Sequence, residues 1–157
     1  MAQNKIKAAD INSVAGTGDT VVLQTSGTFT PVLTFTTPGN LTVVYAAQAG
    51  SYVRHGNLVT INFTAITSTF THTTASGTLQ LTGLPFTGLA GEQSYGSMQF
   101  AGITKATFTY FAPRVNGAVT NLEFVANGSG VSPTTVQASD TPTGGTVNLR
   151  GTVTYRI

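Results

Sequence analysis

The chain of 157 residues is the size of one domain and long enough to bury a core without a disulfide or a metal. Charged side chains make up 8% of it, against about 25% in a typical globular protein, and the net charge is only +2, too little for a nucleic-acid footprint. The absence of Cys excludes a disulfide scaffold, a thiolate zinc site and a thiol nucleophile, while 30 Thr and 18 Gly argue against a helical bundle, a disordered tail and most enzymes.

Residues 1–27 stand apart from the rest. They hold two of the five carboxylates (Asp10 and Asp19), two lysines (Lys5 and Lys7) and a loose Ala15–Gly18 stretch. Ile6, Ile11 and Val14 are the apolar points of one or two helical turns, or of an extended arm. A frayed terminus and an arm that orders on a partner both fit this segment. No long apolar run follows Met1, so the segment does not read as a secretory signal, and no stretch has the length of a membrane-spanning helix. Synthesis in the cytoplasm is expected, and an opening Met1 with a closing strand suggests a complete product.

From Thr28 the pattern is strand after strand, read as one domain over residues 28–157. Leu41, Val43 and Tyr45 alternate with polar or smaller neighbours. Residues 57–67 form a long strand with Val59, Ile61, Phe63 and Ala65 on one face. Leu79 and Leu81 mark another strand, and Ala106, Phe108, Tyr110 and Ala112 share the apolar face of a further one. Leu122, Phe124 and Ala126 follow. The clearest strand is the last, with Val147, Leu149, Gly151, Val153, Tyr155 and Ile157 on one face and Asn148, Arg150, Thr152, Thr154 and Arg156 on the other. Turn signals separate the runs: Pro38-Gly39-Asn40, His55-Gly56-Asn57, Ser76-Gly77, Asn116-Gly117, Asn127-Gly128-Ser129-Gly130 and Gly144-Gly145. No amphipathic helix appears after residue 15. Eight to ten short strands at this spacing predict an all-β, antiparallel sandwich, jelly-roll-like, with a short N-terminal arm.

Reactive constellations are scarce. A glycosidase needs two carboxyls at a fixed separation, and only Glu92, Glu123 and Asp140 lie outside the arm. Glu123, between Leu122 and Phe124, points away from the apolar face, and Asp140 reads as a turn former. His55 and His72 would both be needed for a metal site, and both read as exposed or turn histidines. No Gly-x-Ser-x-Gly elbow and no phosphate-binding glycine loop precedes a helix. Tyr45, Tyr52, Tyr95, Tyr110 and Tyr155 suit either sheet packing or a sugar-binding surface, and Lys105, Arg114 and Arg150 read as solvated charges. No catalytic, cofactor or metal site is assigned.

Three segments carry a resemblance. They are residues 27–35 (Gly-Thr-Phe-Thr-Pro-Val-Leu-Thr-Phe), residues 48–63 with Tyr52-Val53-Arg54-His55-Gly56-Asn57 at their centre, and residues 77–86 ending in Gly83-Leu84-Pro85-Phe86. In this order and spacing the chain resembles β-sandwich domains of tailed-phage virion proteins, found in tail fibres and spikes and in head-decoration (cement) proteins. The matched features are turns and packing positions, so no functional residue is carried over. Arg54-His55-Gly56-Asn57 suits a hairpin with positive φ at Gly56 or Asn57.

The resemblance implies a non-enzymatic structural protein of a phage virion, made in the host cytoplasm and placed on the capsid exterior. A decoration protein of this kind binds the assembled shell as a homotrimer, with the major capsid protein as partner. Lys5, Ile6, Lys7, Ile11 and Val14 are the expected shell-binding positions of the arm. The alternative is a tail-fibre or receptor-binding module that recognises host surface glycan. No direct nucleic-acid partner, no membrane and no cofactor are expected, and a glycan partner remains open.

Overall fold

A computed structural model describes residues 24–157; Lys5, Ile6, Lys7, Ile11 and Val14 lie outside the described residues. The period-2 alternation is realised as eleven strands among the described residues: β1 (Gln24–Phe29), β2 (Val32–Thr37), β3 (Thr42–His55), β4 (Leu58–Thr71), β5 (Ser76–Thr82), β6 (Gln93–Tyr95), β7 (Ser97–Ala101), β8 (Tyr110–Asn116), β9 (Asn121–Gly128), β10 (Val131–Thr135) and β11 (Asn148–Arg156). A 3-10 turn, Ala138–Asp140, is the one helical element described. Five strands form the first sheet in the order β1-β3-β4-β11-β7. The second has six: the order is β2-β5-β9-β8-β6, and β10 also pairs with β9. Every named pairing is antiparallel, and the two sheets pack as a sandwich.

The core lies where the inward rows meet. Val59, Ile61, Phe63 and Ala65 of β4 and Leu149, Val153 and Tyr155 of β11 come from the first sheet. Leu33, Phe35, Leu79, Leu81, Phe111, Val115, Leu122, Phe124 and Ala126 come from the second. Aromatic rings bridge the layers edge to face, Phe63 to Phe124 at 6.3 Å and Phe100 to Phe111 at 4.5 Å. The expected inward face of the last strand is therefore the observed one.

Local chemistry places the turns. The β3–β4 hairpin closes at Gly56 with φ +56°, the left-handed conformation that Gly adopts at no steric cost. Between β6 and β7 the chain crosses from the second sheet to the first at Gly96, whose N–H donates to the Pro113 carbonyl at 2.9 Å. A Cβ on Gly96 would run into the Thr152 carbonyl, so this crossing requires glycine.

Several expectations are corrected. The sandwich begins by Gln24, inside the segment read as an arm, because Gln24–Gly27 pair with Tyr52–His55 of β3. β3 runs 14 residues, longer than the short strands expected, and β4, read as a long strand over residues 57–67, extends to Thr71. Residues 103–109 form no strand; Thr107 turns the chain with φ +68°. In β8 the faces are the reverse of the alternation read from sequence: Phe111 is buried and Tyr110 is exposed. Ser76-Gly77 opens β5 rather than a turn, and Gly77 with φ +81° sits beside a register shift between β2 and β5.

Candidate functional site

Among the described residues, each side-chain carboxylate is held by a cation. Lys105 Nζ lies 2.6 Å from Asp140 Oδ2, Arg114 Nη2 lies 2.6 Å from Glu123 Oε2, and Arg156 Nη1 lies 2.9 Å from Glu92 Oε1. Lys105 and Arg114, read from sequence as solvated charges, are in fact largely covered partners of these pairs. Asp140 also accepts the Gln137 N–H at 2.8 Å and so caps the 3-10 turn, which fulfils its reading as a turn former. Arg54 and Arg150 form no ion pair among the described residues. Arg54 instead donates to the Gly56 carbonyl and stacks over the Phe86 ring.

The outer face of the second sheet centres on the Arg114–Glu123 pair. The β8–β9 register sets these residues opposite each other, and β6 places Tyr95 opposite Arg114. Asn116 Nδ2 donates to the same Glu123 oxygen at 3.0 Å, and Tyr95 donates to Gln93 at 3.2 Å. Partial burial opposes the Arg114 charge, but hydrogen bonds to Glu123 and Tyr95 outweigh it and push the pKa further up. Arg114 therefore keeps its charge against Glu123, and the exposed Tyr95 ring flanks the pair. Sequence reading missed Asn116, Gln93 and Tyr95 as neighbours of this pair. The Asn116-Gly117 turn signal marks the end of β8, but the register that sets Arg114 opposite Glu123 depends on the whole loop of residues 117–120, and Gln93 and Tyr95 arrive from β6.

The outer face of the first sheet has a different composition. Ser51, Thr60, Asn62, Thr64, Ser97, Gln99, Arg150, Thr152 and Thr154 point out from β3, β4, β11 and β7. Thr60 and Thr154 share a hydrogen bond at 2.8 Å across neighbouring strands. At the edge of this sheet, β1 carries no charge, no Pro and no bulge, and among the described residues no strand pairs with its outer side. By contrast, β10 carries Pro133 and a register shift, and β6 has only three residues.

The remaining candidates serve packing. His55 is exposed at the end of β3, as expected. His72 is buried, which corrects its reading as an exposed or turn residue. Its ring lies edge-on to Phe35 at 5.0 Å and Phe70 at 5.8 Å, and Nε2 bonds Thr141 Oγ1 at 2.9 Å. Tyr45 and Tyr155 contribute to the core, and burial raises the pKa of both. Tyr52 packs edge-on against Phe86 at 5.2 Å. Only Tyr95 and Tyr110 expose their rings broadly. No cluster of three or more His, Asp or Glu occurs among the described residues.

No family model and no curated protein matches the chain. Among solved structures the fold is similar to that of the Dettilon tailspike protein (gp208), with a TM-score of 0.59 and 17% sequence identity. The match covers 83% of this chain and 23% of that one, so this chain spans about a quarter of the tailspike's length. At this identity the likeness shows the fold, an all-β sandwich.

Proposed function

We propose that the chain is a non-enzymatic structural protein of a phage virion, and within the virion a decoration protein that binds the assembled shell as a homotrimer. The observation that carries this reading is the use of its charges. Glu92, Glu123 and Asp140 are each held in an ion pair, and the outer face of the five-stranded sheet presents mainly hydroxyls and amides. Such faces suit extended protein contacts, which deplete charge at their centres. The fold likeness to a tailspike and the sequence resemblance both support a virion setting. The β1 edge, unpaired on its outer side among the described residues, supports contact between copies, and Lys5, Ile6, Lys7, Ile11 and Val14 remain the proposed shell contacts.

A second reading, a tail module, is favoured by the likeness to a domain-sized part of a tailspike. Quantitative mass spectrometry of purified particles separates the two. About one copy per major shell subunit supports decoration. A few trimers per particle overturns it in favour of the tail. Absence of the chain from particles overturns the virion assignment itself.

A further inference from the structure

We propose that β1 is a one-way mechanical latch: pulled along its axis from its Gln24 end, it is stopped because Phe29 cannot pass Tyr52. The same short pattern, a glycine, one polar residue and an aromatic, occurs in β1 as Gly27-Thr28-Phe29 and in β3 as Gly50-Ser51-Tyr52. Run antiparallel, two such patterns set each glycine opposite the other strand's aromatic residue. The register does this: Gly27 pairs with Tyr52 and Phe29 pairs with Gly50. Residues two apart share a face, so all four lie on one side of the strand pair, and both rings pack against the core.

Each ring fills the space its glycine leaves. A Cβ on Gly27 would meet the Tyr52 hydroxyl at 2.7 Å, and a Cβ on Gly50 would meet the Phe29 ring at 2.7 Å. Tyr52 therefore lies across β1 at Gly27, and Phe29 lies across β3 at Gly50. Tyr52 is itself held in place. Phe86 stands edge-on to it at 5.2 Å, and the Arg54 guanidinium covers the Phe86 ring at 5.1 Å while its Nε donates to the Gly56 carbonyl at 2.7 Å.

Direction follows from the register. A one-residue slide would turn the inner residues of β1 outward, so the shortest slide that keeps its faces is two residues, about 6.6 Å. Toward the β3–β4 turn, that slide carries Phe29 to the position opposite Tyr52. Two rings then compete for the space that one ring and a glycine share. The opposite slide takes Phe29 to Gln48 and sets Thr25 against Tyr52, with no two rings opposed. Ladder hydrogen bonds run across the strands, so a lengthwise pull loads all six residue pairs of β1 together, whereas a sideways pull opens them one after another. The inference rests on the proposed arm contact only for the source of the load: a shell contact within residues 1–23 pulls on the domain through Gln24.

The chain has no Cys, so introduced cysteines place pulling handles at chosen sites. Gln24→Cys with Gly144→Cys loads β1 lengthwise, because Gly144 has open space around it and its neighbour Gly145 accepts the Phe70 N–H toward the far end of β4. β11, which follows that handle, has nine pairs with β4 and five with β7, so β1 is the weaker element. Gln24→Cys with a cysteine appended after Ile157 peels β1 instead, because the Ile157 N–H donates to the Asn57 carbonyl beside the same turn. In optical tweezers the lengthwise rupture force of the full chain should be about twice the peeling force or more. Tyr52→Val should bring that ratio toward one. Val153→Ala, in the core on β11, lowers stability away from β1 and should leave the ratio at the parent value. Equal forces in the two geometries, an unchanged ratio in Tyr52→Val, or a ratio lowered as far by Val153→Ala would each overturn the latch. These forces do not depend on how many copies a particle carries, so the latch and the shell assignment fail separately.

Discussion

Tyr155 offers a direct test of the packing. Its ring is 1% exposed on the inner face of β11, and its hydroxyl donates to the Phe86 carbonyl at 3.0 Å. Burial pushes its pKa up to about 12, from about 10 in an unfolded chain. The fold accepts the neutral phenol and resists the phenolate, so the unfolded chain releases the proton first. The stability this group contributes is complete below about pH 10 and is lost as pH rises toward 12. Within that window each pH unit removes at most about 1.4 kcal/mol, less what solvent near the hydroxyl screens. Tyr155→Phe removes the titration and also the hydrogen bond, which costs about 0.5–1.5 kcal/mol at neutral pH. Urea midpoints of both proteins, measured from pH 7 to pH 12, should show the variant weaker at pH 7. Above about pH 10 the parent should fall more steeply, so that the two curves converge. Tyr45, whose pKa burial also raises, remains in both proteins and gives the variant a smaller slope of the same sign. Parallel curves, or a parent midpoint that stays level between pH 10 and 12, would refute the assignment of buried-phenol stability to Tyr155.

The ion pairs should differ in worth. Arg114→Ala strands a largely covered Glu123 and should cost about 1–3 kcal/mol in urea unfolding, whereas Arg156→Ala, at an exposed pair, should cost under about 1 kcal/mol. Equal losses would contradict the burial argument. Gly96→Ala drives a Cβ into the Thr152 carbonyl and should lower soluble yield and unfolding midpoint sharply, by more than about 2 kcal/mol. Gly144→Ala, with open space around it, should leave both near the parent values, and a silent Gly96→Ala would show that the sheet crossing tolerates a side chain.

The fold was legible wherever one face of a strand is buried and the other is wet. β11 shows this best, with Leu149, Val153 and Tyr155 buried as their alternation predicts; on β9 Leu122, Phe124 and Ala126 are buried as predicted, but Val125 on the other face is covered as well. Residues 105–109 misled because their alternation has no sheet behind it. Thr107 takes a left-handed backbone, Lys105 turns to Asp140 at 2.6 Å, and the strand starts only at Tyr110. Pattern alone records which residues are apolar. It does not record whether a neighbouring strand is there to pair with them.

The polar surfaces were harder to read for the same reason. Asn62, Arg150 and Gln99 lie on strands far apart in sequence and come together only because Thr64 pairs with Arg150 and Arg150 pairs with Gln99. Period-2 alternation assigns each of them to the outward face, but the row each occupies depends on register. A one-residue slip of β11 against β4 would turn Arg150 into the core. His72 shows the converse. A Thr-rich stretch around it suggests exposure, yet Phe35 and Phe70 close over it and Thr141, 69 positions away, completes its hydrogen bond. Arg114 and Glu123 were nearly recoverable, because one short loop joins their strands, but the register that sets them opposite each other comes from the four residues 117–120; a two-residue hairpin drawn at Asn116-Gly117 would have set Arg114 opposite Val119. Contacts inside one hairpin follow from local turn chemistry. Those between hairpins follow from burial of the whole inner face, the quantity that fixes the rows on the outer face as well.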